Sequence, residues 1–190
     1  MTYSNDGWYL DHKSDLGLFH LTSDAFIHTY SSWKRTQDLI KQIPKNEIEY
    51  FQYISYTIGG CILFPGNRIN GLSTMNQERG TNKYINDRMD LTLECIKRYY
   101  NNEKSPLFET IERYNDFFQL FESFKGYCEY FLLQDLTLEN CSKINFFLPF
   151  EDFIFNILPK TTDEYYIYKR NSIEFLEKRN KRIVEYNKNN

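Results

Sequence analysis

Between Gly66 and Asp90 the chain collects Asn67, Arg68, Asn76, Glu78, Arg79, Asn82, Asp87, Arg88 and Asp90. The three arginines suit an anion. A guanidinium is a planar fork that matches phosphate or carboxylate oxygens in pairs. Backbone N–H groups at Gly66, Gly71 and Gly80 would add donors, and a helix start near Asn82 would add partial positive charge. Asn67, Asn76 and Asn82 supply amides beside Arg68, Arg79 and Arg88, so these six residues form the candidate ligand-binding set. Asp87 and Asp90 are the candidate catalytic residues, as bases or as ligands to a metal. The segment matches neither GxxxxGK[ST] nor GxGxxG, so it is no recognised nucleotide loop. A purely architectural arrangement competes, in which the arginines tie the loop to Asp87, Asp90 or Glu78.

The other constellations are weaker. Asp87, Asp90 and Glu94 would stack on successive helical turns, where carboxylates can hold Mg2+ or Mn2+. The same face carries Lys97 and Arg98, and Glu94 with Arg98 is an ordinary i,i+4 pair. A salt-bridged face is the better reading, and no metal or other cofactor is assigned. Ser73 and Thr74 lack a nucleophile elbow and a histidine nearby in sequence. His12, His20 and His28 have no ligand spacing and read as structural or surface groups. Cys61, Cys95, Cys128 and Cys141 form no CxxC pair and read as small buried hydrophobes of a reducing compartment. The basic run 178–182 is interleaved with Glu174, Glu177 and Glu185, which suits a solvated helix end. Tyr165, Tyr166, Tyr168 and Phe175 suit a contact with a second copy or another protein.

These groups need a frame, and the composition supports one. In 190 residues the hydrophobic share is 41% and the aromatic share 18%, enough for a real core. Net charge is -3, which argues against nucleic acid as a partner. No apolar run approaches the roughly 20 residues of a membrane span, and the N-terminus has no leader pattern. A cytoplasmic location is expected.

Alternation from Trp8 to Thr22 predicts a hairpin turning at Lys13-Ser14-Asp15, with Leu16, Leu18, Phe19 and Leu21 apolar. A helix capped by Ser23 or Ser31 should end at Ile43, and a second should follow Pro44. Tyr56 to Phe64 reads as a buried strand, with Gly59-Gly60 marking a bulge or close approach. Gly66 to Gly80 reads as a long loop or a hairpin. The central helix is predicted over Lys83–Tyr100, its wide apolar arc touching more than one neighbour. Ser105-Pro106 should start a helix reaching about Ser123, and a short buried element covers Tyr127 to Leu133. Ile144 to Leu148 reads as a strand. Thr161 and Glu164 have capping-box spacing before a last helix ending near Ile183 or Val184. The expectation is a helix-dominated α+β single domain over 1–190. Its core spans 8–159, with roughly three to five short strands, and 160–190 forms a long C-terminal helix.

IGGCILFPGNRING (Ile58–Gly71), ERGTNKYINDRMDLTLECIKRYY (Glu78–Tyr100), SPLFETIERYNDFFQLF, YFLLQDL and FFLPFEDF carry a resemblance. Through them the chain resembles an uncharacterised family of bacterial proteins, a domain of unknown function. The likeness runs from near Trp8 to the final helix. It implies a bacterial intracellular protein and no particular activity. Two functions are then expected to compete. One is handling of a small, phosphate-like anion at Gly66–Asp90, by a protein of undecided enzymatic status. The other is a non-catalytic interaction factor of the inhibitor, immunity or phage-accessory kind, docking through the Tyr-rich C-terminal helix.

Overall fold

The computed structural model describes residues 2–4, 7–14, 17–154 and 158–189, with backbone alone for those up to 18 and for 23 and 24. It is a helix-dominated α+β fold. Strands β1 (Thr2–Ser4), β2 (Gly7–Ser14) and β3 (Gly17–Ala25) form an antiparallel meander. Strand β4 (Ile62–Pro65) joins antiparallel to β3, giving the order β1-β2-β3-β4. The expected hairpin is β2–β3, closed where Ser14 faces Gly17. Its turn residues Asp15 and Leu16 lie outside the described residues.

After β3 the chain stays irregular through residue 33, and α1 (Gln37–Ile40) follows a 3-10 turn at Lys34–Thr36. The expected helix is therefore shorter and later. Ser23 belongs to β3, and Tyr30 holds a left-handed φ of 58° that no helix can include. Helix α2 (Lys45–Ser55) starts directly after Pro44, as its ring-fixed backbone favours. Tyr56 to Phe64 is not one strand: Ile58–Gly60 forms a 3-10 turn before β4. The glycines there do mark close approach. A Cβ on Gly60 would sit 2.3 Å from Ser55 O, and one on Gly59 2.7 Å from Asn180 Oδ1.

Helix α3 (Met75–Thr81) occupies ground expected to be loop or hairpin. Its signal is a capping box, with the Thr74 hydroxyl accepting from Gln77 N–H and the Gln77 side chain accepting from Thr74 N–H. The central helix α4 (Met89–Tyr100) begins six residues after Lys83. Asn86 and Asp87 are left-handed, at φ 49° and 61°, and Arg88 is extended, so no helix can form before Met89. From Met89 to Ile96 every residue of α4 is buried, in keeping with its broad apolar arc. The stripe after Pro106 splits at Tyr114 into α5 (Phe108–Arg113) and α6 (Asn115–Gln119). Helix α7 (Phe124–Tyr130) includes Gly126, where a Cβ would meet Phe121 O at 2.1 Å. Strands β5 (Thr137–Leu138) and β6 (Lys143–Ile144) make a two-residue ribbon, which is all that forms of the expected Ile144 strand.

Helix α8 (Thr162–Asn189) starts where Thr161 Oγ1 accepts from Glu164 N–H at 3.2 Å. It puts Tyr165, Tyr168, Phe175 and Leu176 into the same buried cluster as Leu21, Phe51 and Phe118. Arg179 is buried too, and donates to Gly59 O, Cys61 O and Phe131 O at 2.8 Å each. None of the four cysteines is in a disulfide. No helix among the described residues is long and apolar enough to cross a membrane.

Candidate functional site

The irregular segment after β3, Phe26-Ile27-His28-Thr29-Tyr30-Ser31-Ser32, is held by its own backbone groups. Tyr168 Oη donates to His28 O at 2.8 Å, and Tyr165 Oη to Thr29 O at 3.3 Å. Thr36 Oγ1 donates to Tyr30 O at 2.6 Å. Tyr30 is fully buried, and its hydroxyl donates to Asn86 O at 2.8 Å. That bond joins two stretches 56 residues apart, and both bend through left-handed non-glycine residues at the junction. Such conformations cost of order 1–3 kcal/mol each and persist only where surroundings over-determine them.

Asp87 is fixed from behind by Arg79. The guanidinium is buried, with Nη1 2.8 Å from Asp87 Oδ1, Nη2 donating to Asp87 O at 3.1 Å and Nε donating to Thr92 Oγ1 at 3.2 Å. Asp87 N–H in turn donates to Arg79 O at 2.9 Å. The carboxylate is presented to a cleft of about 190 Å³ that His28, Thr29, Ser31, Ser32, Gln52, Tyr56 and Phe26 also line. Gln52 Nε2 donates to Ser31 Oγ at 2.7 Å, and the Ser31 and Thr29 hydroxyls share a bond of 3.0 Å. At the rim Tyr56 is exposed, its ring centroid 5.3 Å from that of Phe26.

His28 Nδ1 accepts Tyr30 N–H at 2.9 Å, so the neutral ring carries its proton on Nε2. Burial lowers the His28 pKa, with Asp87 pulling it back up and Arg79 lowering it. His28 and Asp87 both line the cleft, beside hydroxyl-bearing residues and one amide.

The six ligand-set residues disperse. Arg79 and Arg88 are buried and donate to protein oxygens. Arg88 forms a two-pronged pair with Asp90, Nε to Oδ1 at 3.0 Å and Nη2 to Oδ2, and Phe147 N–H donates to Oδ2 at 2.9 Å. Neither Arg88 nor Asp90 has exposed side-chain surface. Asn67 and Arg68 stand exposed on the loop after β4. Asn76 Nδ2 donates to Thr22 Oγ1 at 2.6 Å, and Asn82 Nδ2 to Pro106 O at 3.3 Å. The arrangement observed for Arg79 and Arg88 is thus the architectural one that the sequence allowed. Of the two aspartates, Asp87 alone faces the cleft. Glu94 is salt-bridged to Lys97 and Arg98, and no group of three potential metal ligands occurs among the described residues. In the basic run, Arg182 pairs with Asp135 and Lys178 with Glu174. Tyr165 and Tyr168 of the C-terminal helix are core residues.

His28, Ser31 and Gln52 are not legible as site residues in the sequence. His28 and Asp87 are 59 positions apart, and their segments are brought together by the buried Tyr30–Asn86 contact and by Arg35 on the Asn86 side chain.

Fold and cleft together define a helix-dominated α+β protein with an imidazole and an arginine-backed carboxylate on a shared polar cleft. The chain belongs to a family of unknown function, DUF6994, whose model matches residues 1–183. No curated protein and no solved structure matches it.

Proposed function

We propose that this protein handles a small polar molecule in the cleft between residues 26–32, the end of α2 and Asp87. The observation that carries this reading is the junction of Tyr30, Asn86 and Asp87. Three left-handed non-glycine residues meet there and hold one imidazole and one carboxylate on the same concave surface. Asp87 is the acceptor and His28 Nε2–H the donor. In an enzyme these would be the proton-handling groups. The setting we propose is the bacterial cytoplasm that the family resemblance implies. A phosphate-like ligand gains little support here, because Arg79 and Arg88 are committed to protein oxygens and Asp87 would repel it.

The test is a protein-observed NMR screen of a mixed library of small metabolites. At least one compound should shift the amides of Thr29, Ser31, Gln52 and Asp87, and the shift should vanish in Asp87→Asn. A library without a single hit in this cleft would sink the reading.

A second reading, a non-catalytic interaction factor, is favoured by one observation. Tyr50, Tyr53, Tyr56 and Ile58 on and after α2 are exposed by 49%, 77%, 73% and 66%. Exposed aromatics this close together suit a partner surface. Tyr53→Ser with Ile58→Ser should then abolish self-association in sedimentation; a wild-type chain that is monomeric at high concentration would remove a second copy as the partner.

A further inference from the structure

The charges of the cleft cancel locally. Asp87 is matched by Arg79 2.8 Å behind it, and His28 is held in its neutral form by the Tyr30 N–H on Nδ1. The other polar side chains of the lining residues are the hydroxyls of Thr29, Ser31, Ser32, Ser55 and Tyr56 and the amide of Gln52. An anion would give up its hydration here without meeting a free cation, and a cation would meet only a carboxylate that Arg79 already pairs.

Donor and acceptor chemistry narrows the class further. Asp87 can only accept, and the Nε2–H of neutral His28 can only donate. A phosphate accepts throughout, so it would set its oxygens against the carboxylate. An ammonium only donates, so it would oppose the imidazole N–H. A ligand hydroxyl does both and satisfies each in turn. The size is also restrictive. About 190 Å³ is below the ~300 Å³ at which sites for drug-sized molecules begin. One small ring fits. The rim supplies a wall for its apolar face, since Tyr56 is 73% exposed and is braced by Phe26.

We propose, on the reading that this cleft is the ligand site, that its ligand is an uncharged, monosaccharide-sized ring carrying several hydroxyls. The ring packs its C–H face on Tyr56 and directs its hydroxyls to Asp87, Ser31, Gln52 and the His28 Nε2–H.

The experiment is saturation-transfer and protein-observed NMR on the full chain. The probes are D-glucose, D-ribose and myo-inositol, beside D-glucose 6-phosphate and D-glucosamine. At least one neutral ring should shift Ser31, Gln52 and Asp87. The phosphate and the amine should bind about ten-fold more weakly or not at all. Tyr56→Ala, a change at an exposed position, should weaken the neutral ring by about ten-fold while leaving the spectrum otherwise folded. A charged probe that shifts the same amides as strongly overturns the ligand class and leaves the cleft as the site. So does a set of neutral rings that all fail while other library members hit the cleft. If neither these probes nor any library compound touches those amides, the proposal and the reading beneath it fall together.

Discussion

Asp90→Asn separates architecture from chemistry in the Gly66–Asp90 segment. Asp90 and Arg88 have no exposed side-chain surface, and the carboxylate takes two guanidinium donors and the Phe147 N–H. The substitution keeps the shape and removes the negative charge, leaving a guanidinium in the core without its counter-ion. It also turns an amide NH2 towards donors. Breaking a buried pair from one side costs about 3–5 kcal/mol. In a chain of this length that is roughly 6–20 °C in Tm, and about three-tenths to a half of a stability of about 10 kcal/mol. Urea unfolding followed by circular dichroism should show the midpoint falling with the slope unchanged. The double variant Arg88→Met with Asp90→Asn removes the stranded charge, and the carbonyl of the introduced amide can still accept Phe147 N–H. It should be less destabilised than the sum of the single changes by about 1–3 kcal/mol. A single variant within about 1 kcal/mol of wild type would refute the argument that the pair is dry and committed. A ligand found in the cleft should bind the folded Asp90→Asn protein unchanged. If affinity fell and stability did not, Asp90 would return as a reacting group.

Four further outcomes are expected. Gly60→Ala forces a Cβ to 2.3 Å from the Ser55 carbonyl, so it should destabilise by at least about 1–3 kcal/mol. Gly80→Ala, inside α3 with nothing within 4 Å of its Cβ, should stabilise by about 0.5–1 kcal/mol; paired chemical melts check both. Thr74→Ala opens the capping box and should cost about 1 kcal/mol, with faster amide exchange at Gln77. The His28 pKa is lowered in the fold from its usual 6.5, so the fold prefers the neutral ring. Its contribution is intact above about pH 6.5 and declines on acidification through the lowered value. Melts at pH 7.5 and 5 should therefore diverge more for wild type than for His28→Gln.

Where local chemistry alone decides a conformation, the sequence is informative. Pro44 places the start of α2, alternation between turn residues gives β2–β3, and Thr161 with Glu164 announces α8. Gly59-Gly60 signals a close approach without naming its partner, α8, which lies about 120 residues away. The start of α4 falls later than its pattern suggests because Ile85 extends the apolar stripe backwards, while Asn86 and Asp87, residue types that tolerate the left-handed region, are held there by tertiary bonds from Tyr30, Arg35 and Arg79. Thr74 with Gln77 is a readable cap that glycine and asparagine turn signals obscure. Of the candidate site, Asp87 is legible as a polar group beside a loop. His28 is not, since an isolated histidine announces nothing until a contact between distant segments gives it a neighbour.

The hydrogen bonds from Tyr165 and Tyr168 to the carbonyls of Thr29 and His28 span 136 and 140 residues. They bear on the order in which the molecule can be made. A ribosome releases the His28 segment well before α8, so until α8 follows that segment lacks the two phenols that orient it, and the core lacks Phe175 and Leu176. Loop closure over such distances must precede its reward, which slows folding and leaves apolar surface open meanwhile. A nascent chain stalled before Thr162 should therefore be captured by a chaperone, and the cleft should become competent only after the C-terminal helix has emerged.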